Sequence, residues 1–201
     1  MRYRPDHKLK TRQDLVKRAA SQMRAKGPAG VSIAQLMASL GLTHGGFYAH
    51  FPSKDALIAA AIEAMFADVI RIRQGQLGAK TGPGALRALI ENYLSPVHLD
   101  QRDRGCPVAA LMGLADQLPS TARVALDEGY QQMVSQFAGL MADRPGPEDL
   151  ALASSLISEM VGALTLARAM TDRNQALTIL DHSRLAILHR AGLSTSTLET
   201  A

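Results

Sequence analysis

The side chains able to do chemistry fall into two groups. The first is Thr43-His44-Gly45-Gly46-Phe47-Tyr48-Ala49-His50-Phe51-Pro52-Ser53-Lys54, where imidazoles, hydroxyls, a phenol and an ammonium share a short stretch. Such groups donate well to phosphate oxygens, and paired glycines let a backbone come close to a bulky polyanion. The second is Asp103-Arg104-Gly105-Cys106-Pro107, which holds the only cysteine of the chain, with His98 and Asp100 upstream. At a helix start beside an arginine a thiol leans toward the nucleophilic thiolate. His98, Asp100, Asp103 and Cys106 are also metal-ligand types, but nothing in their spacing puts them on one face.

Charge separates the two groups. Residues 1–54 carry ten Lys and Arg against two acids, a balance of +8, whereas residues 55–201 carry twelve against sixteen, a balance of −4. A basic head on a mildly acidic body directs the first quarter at a polyanion: a phosphate backbone, RNA or an anionic membrane surface. Of the 201 residues 47% are hydrophobic and 20% charged, which excludes a disordered chain and allows one or two domains with a sizeable core. One cysteine excludes a disulfide framework and any Cys-rich zinc site, and fits the reducing cytoplasm. The opening MRYRPDHKLKTR lacks the apolar run of a secretory signal. Glu63 and Asp68 interrupt the apolar stretch from Ala56 to Ile70, so no membrane span is expected.

The elements that must position these groups are all helices, because apolar residues recur at helical spacing nearly throughout. The reading is all-α with about nine helices. The first runs from about Leu9 to Ala25 and lines up Leu15, Ala19 and Met23, with Lys17, Arg18, Arg24 and Lys26 as a solvated face. The second follows a Ser32-x-x-Gln35 capping box, buries Ile33, Leu36, Met37 and Leu40, and stops at Gly41. The third runs from a Thr43 cap to about His50. Ser53 then opens a long fourth helix with Asp55 in its first turn and Ile58, Ile62, Met65, Val69 and Ile72 inside. Further helices are expected at roughly 84–98, 105–117, 120–142, 147–171 and 174–191, with a tail over 193–201 that frays.

A short helix, a turn at Gly41-Leu42-Thr43 and a second short helix have the layout of a helix-turn-helix, whose second helix enters the DNA major groove. Phe47 and Phe51 take the inner face. The run Ser32-Ile33-Ala34, Leu40-Gly41-Leu42-Thr43, Tyr48-Ala49-His50-Phe51 and Lys54-Asp55-Ala56-Leu57 resembles the DNA-binding domain of the tetracycline-repressor (TetR) family. The resemblance covers about fifty residues. It implies a DNA-binding head over 1–54 and an effector-binding, dimerising helical bundle over 55–192. It also implies a cytoplasmic, ligand-responsive repressor of a near-palindromic double-stranded operator, and no enzyme. The DNA-contacting set is Ser32, Thr43, His44, Gly45, Gly46, Tyr48, His50 and Lys54. Lys8, Lys10 and Arg12 add electrostatic contacts to the flanking backbone. Two glycines offer no side chain to base edges, so His44 leads direct readout and DNA shape supplies more of the specificity.

For the bundle, the family implies a small-molecule pocket, and the candidates are Tyr93, Cys106, Met112, Tyr130, Met133, Phe137, Met160 and Leu164. Methionines adapt to irregular apolar ligands, and the scarcity of aromatics argues against a cage for quaternary ammonium compounds. No metal or other cofactor is implied. Helices eight and nine, over 147–171 and 174–191, are the expected homodimer surface. Ala151, Ser155, Ser158 and Gly162 would permit close approach, while Leu156, Met160, Leu177, Leu180, Ile187 and Leu188 would supply apolar area. Two rivals concern Cys106. It could sense electrophiles or oxidants, or serve as the nucleophile of a hydrolase. The hydrolase needs a base, which His98 alone could supply, and no Cys/His/Asn pattern accompanies it. An activator or architectural DNA-binding protein without a ligand is the remaining alternative.

Overall fold

The structure, a computed structural model, describes residues 5–193, so the tail expected to fray lies outside the described residues beyond Leu193. Every regular element in that range is helical: α1 Pro5–Lys26, α2 Ile33–Ser39, α3 Lys54–Leu77, α4 Gly82–Tyr93, α5 Pro96–Asp100, α6 Pro107–Leu111, α7 Ser120–Ala138, α8 Pro147–Ala169 and α9 Arg173–Arg190. Three short 3-10 helices, Pro28–Gly30, His44–Ala49 and Met112–Gln117, fill connections.

The departures from the sequence reading are local. The expected third helix is a 3-10 helix, because two of its six residues are glycines, poor α-formers, and Pro52 follows closely. The expected helix over 84–98 is two helices. Pro96 has no N–H to continue the first, and Ser95 Oγ accepts from the His98 N–H at 3.2 Å to start the second. The helix over 105–117 likewise divides at Met112. Ile72, expected inside, is exposed.

The chain folds as two compact units. The first comprises residues up to Ile72 together with Arg102–Tyr130. Its core includes Leu15, Met23, Leu36, Phe47, Leu57, Ile62, Met65 and Leu111, each buried. Gly27 ends α1 at φ +70°, and a Cβ there would lie 2.8 Å from Leu114 Cδ1, so only glycine fits both the turn and the contact. Lys17, Arg18 and Lys26 lie on the solvated face, but Arg24 does not. It is half-buried, with Nε donating to the Gly105 carbonyl at 3.1 Å and Nη2 to the Met65 carbonyl at 3.2 Å. One guanidinium thus ties α1 to α3 and to the approach to α6. Its fixed fork is suited to two carbonyls at once.

The second unit comprises Arg73–Gln101 and the residues from Gln131 onward. Its centre is α8 packed on α9, with Leu156, Ile157, Met160, Leu164, Leu180, Ile187 and Leu188 buried between neighbours within the chain. This corrects the expectation that Leu156, Met160, Leu180, Ile187 and Leu188 supply area to a partner, since that area is already used inside the unit. Among the residues that α8 and α9 leave exposed are Ala151, Ser155, Ser158, Leu166 and Leu185. α8 is long and apolar enough to cross a bilayer, a feature the Ala56–Ile70 stretch led the sequence reading to overlook. Its apolar residues pack on α9, to which Arg190 adds hydrogen bonds with Glu159 and Ser155.

Candidate nucleic-acid interface

Local chemistry fixes the shape of the first group. Ser32 Oγ accepts from the Gln35 N–H at 3.4 Å and starts α2. Gly41 takes φ +69°, and the Leu42 N–H donates back to the Met37 carbonyl at 2.9 Å, which closes the end of α2 and turns the chain. The 3-10 helix follows, with Gly46 N–H on the Thr43 carbonyl at 3.0 Å and His50 N–H on the Phe47 carbonyl at 2.9 Å. Thr43 stands at its N-cap, yet its side chain makes no capping bond, which departs from the expected cap. The exposed hydroxyl is thereby left for an outside acceptor. Ser53 Oγ accepts from the Ala56 N–H at 3.1 Å and opens α3.

Phe47 and Phe51 are the anchors. Both are buried, with ring centroids 5.9 Å apart and nearly parallel planes. Tyr48 projects the other way and is 61% exposed, its ring held edge-on to Phe47 at 5.3 Å and to His44 at 6.5 Å. His44 and Gly45 are exposed beside it, and a Cβ on Gly45 would meet nothing within 4 Å. The segment thus presents an imidazole and a phenol on either side of bare backbone. Gly46 lies closer in, 3.4 Å from Met37 Cε for an added Cβ. Lys54 and Ser32 are half-buried at the starts of α3 and α2.

On α1, Lys8, Lys10 and Arg12 are exposed. The Arg12 guanidinium lies 4.1 Å over the Phe51 ring, so the aromatic anchor also holds a cation in place. Between α1 and the helix-turn-helix is a groove of about 320 Å³ lined by Lys8, Thr11, Met37, Thr43, Gly46 and His50 among others. Burial pushes His50 below the ordinary histidine value, and Lys8, Arg12 and His7 push it further. All eight expected DNA-contacting residues therefore sit in the first unit on or next to one helix-turn-helix.

The second group is differently placed. Cys106 is 2% exposed at the start of α6, Met112 is exposed, and Tyr130 is half-buried, all in the first unit. Tyr93, Met133, Phe137, Met160 and Leu164 are buried in the second, with the Arg73 guanidinium 5.4 Å over the Phe137 ring. A groove of about 650 Å³ between Glu91–Pro96 and Leu177–Arg184 is lined by none of these eight. Among the described residues no three His, Cys, Asp or Glu gather as a metal site. His98 Nδ1 is 2.8 Å from the Tyr93 carbonyl and Asp100 is paired with Arg173 at 2.8 Å.

The sequence reading missed a polar cluster in the second unit. Burial holds His98 down to about 4, so its ring is neutral and Nδ1 carries the hydrogen donated to Tyr93. The ring stands edge-on to Tyr93 at 4.6 Å. Arg168 Nη2 donates to the His98 carbonyl at 2.7 Å and closes the end of α5. The available signal was Arg168 itself, a permanent charge in the apolar run Ala163-Leu164-Thr165-Leu166-Ala167.

Comparison with known proteins follows the first group. Residues 15–61 match the family described as bacterial regulatory proteins, tetR family. The chain is 25% identical to the HTH-type transcriptional repressor DhaR of Mycobacterium sp. (strain GP1), over 84% of this chain and 89% of that protein. Among solved structures, a TetR transcriptional regulator from Chloroflexus aurantiacus J-10-FL is 26% identical, with TM-score 0.68 over 93% of this chain and 95% of that one. The reduced form of E. coli NemR shares the fold, with TM-score 0.73 and 20% identity over 87% and 95% of the two chains.

Proposed function

This chain belongs to the TetR family of bacterial DNA-binding transcriptional regulators, and we propose that it is a repressor released by a small apolar effector. Regulators of this family are not enzymes. The observation that carries the reading is the exposed Tyr48 and His44 on a helix-turn-helix whose opposite face is locked by Phe47 and Phe51. The head over 1–54 places Thr43, His44 and Tyr48 in the major groove, while Ser32, His50 and Lys54 hold phosphates. Repression is supported by the name of DhaR, a transcriptional repressor at 25% identity.

The protein works as a cytoplasmic homodimer. Small outward residues Ala151, Ser155 and Ser158 on α8, with Leu166 and Leu185, give two copies a surface for close approach. The effector enters the bundle among Tyr93, Met133, Phe137, Met160 and Leu164. It must bind the conformation in which the two heads no longer match the operator, since only a difference in affinity shifts an equilibrium.

Footprinting on a duplex selected from a random pool tests this. A two-fold dimer protects an inverted repeat, with half-sites about 34–36 Å or slightly more apart on one face. Protection of a single asymmetric half-site with one subunit bound would overturn the dimer.

A further inference from the structure

Resting on that DNA-binding reading, we propose that His50 takes up a proton when an operator phosphate enters the groove between α1 and the helix-turn-helix, making DNA binding proton-linked. The geometry comes first. The imidazole forms one wall of the groove of about 320 Å³, and Lys8, Thr11, Thr43 and Gly46 form others. The opening therefore carries an ammonium and an uncapped hydroxyl, the donors that a phosphate oxygen recruits. His50 Nδ1 is enclosed and has no hydrogen-bond partner among the described residues. A proton on that nitrogen therefore finds no acceptor among the described residues of the free protein.

The surroundings add to that cost. From α1, Lys8, Arg12 and His7 face the ring, all cationic or able to become so, and the other groove walls, Thr11, Met37, Thr43 and Gly46, carry no charge. Burial and these cations together hold His50 below its ordinary value. The Arg12 guanidinium is seated on the Phe51 ring, which favours keeping its charge beside His50. A phosphodiester in the groove reverses both contributions. It supplies an anionic acceptor to the ring and compensates the field of Lys8 and Arg12. The proton comes from solvent, the neutral imidazole becomes imidazolium, and no bond to phosphorus is made or broken.

The sign follows. A group whose value is higher in the complex than in the free protein adds affinity that is fully present below the free value. That added affinity is lost as pH rises through the bound value. Operator affinity therefore falls on going from mildly acid to mildly alkaline solution.

The test uses the full-length dimer and a duplex selected by the wild type from a random pool. Its Kd is measured at constant ionic strength from pH about 5.5 to about 8, spanning the histidine range. The wild type should lose about three- to tenfold in affinity per head across one pH unit within that range, and His50→Gln should lose this dependence. In case His50→Gln binds too weakly to titrate, the His50 imidazole resonances of the wild type are titrated free and bound. A midpoint higher by at least about one unit in the complex supports the proposal. Equal midpoints, or the same pH dependence in wild type and His50→Gln, would overturn it while leaving the regulator intact. Failure of the wild type to select any duplex would overturn both.

Discussion

Gly129 of α7 lies against the Phe66 ring of α3 so closely that an added Cβ would stand 2.2 Å from two ring carbons. A glycine inside a helix normally costs about 1 kcal/mol against alanine. Here it admits the aromatic face to the backbone.

Two effects therefore compete in Gly129→Ala, and the contact distance decides between them. The helix gains up to about 1 kcal/mol while overpacking costs typically 1–3, so we expect net destabilisation of about 1–2 kcal/mol in urea unfolding. In a Phe66→Ala background the clash is gone, and Gly129→Ala should become neutral or stabilising. A penalty that persists there would show that the ring is not its cause.

Arg24 yields a second expectation. Its two hydrogen bonds join carbonyls of α3 and of Gly105 to α1. Hydrogen bonds from a charged donor are worth about 1.5–3 kcal/mol each, and the desolvation of the half-buried guanidinium offsets part of that, so Arg24→Ala should lower stability by roughly 2–4 kcal/mol. Arg24→Lys should recover only part, since one ammonium lacks the fork. Full recovery with lysine would mean that charge alone matters.

His98 makes stability depend on pH with a definite sign. Its folded value is about 4 against an ordinary value of about 6.5, so the unfolded chain holds more protons between them. Stability from this group is fully present above about pH 6.5 and is lost as pH falls toward about 4, by at most about 3 kcal/mol. Urea midpoints at pH about 7 and about 4.5 should therefore differ by more in the wild type than in His98→Gln. Equal differences in the two proteins would remove His98 as the source.

Cys106 is buried at the head of α6, which favours an inert packed thiol over a sensor. The thiol should stay silent toward a disulfide reagent in native protein and react on unfolding, and Cys106→Ser should bind and leave DNA as the wild type does. Rapid native reaction that lowers DNA affinity would instead establish a cysteine sensor.

The head was legible in the sequence because its signals are local. Ser32, Gly41, Ser53 and the Phe47/Phe51 pair each fix a cap, a turn or an inner face within a few residues. The 3-10 form of His44–Ala49 was less legible, because a cap and helical spacing look alike for both helix types over six residues. The bundle was harder. The same apolar spacing on α8 and α9 serves packing within the chain and between chains, and only burial shows that Leu156, Met160 and Ile187 are used within. Long-range polar pairings such as Arg24 with Gly105 and Arg168 with His98 span 81 and 70 residues, beyond any local pattern.

The helix-turn-helix assignment rests most directly on Tyr48 and Lys54. Fluorescence anisotropy on the selected duplex, at several salt concentrations, should show both Tyr48→Ala and Lys54→Ala binding at least about tenfold more weakly while remaining folded. Removing one phosphate contact in Lys54→Ala should also reduce the salt slope by about one unit. Unchanged affinity in both variants would contradict the placement of this surface on DNA.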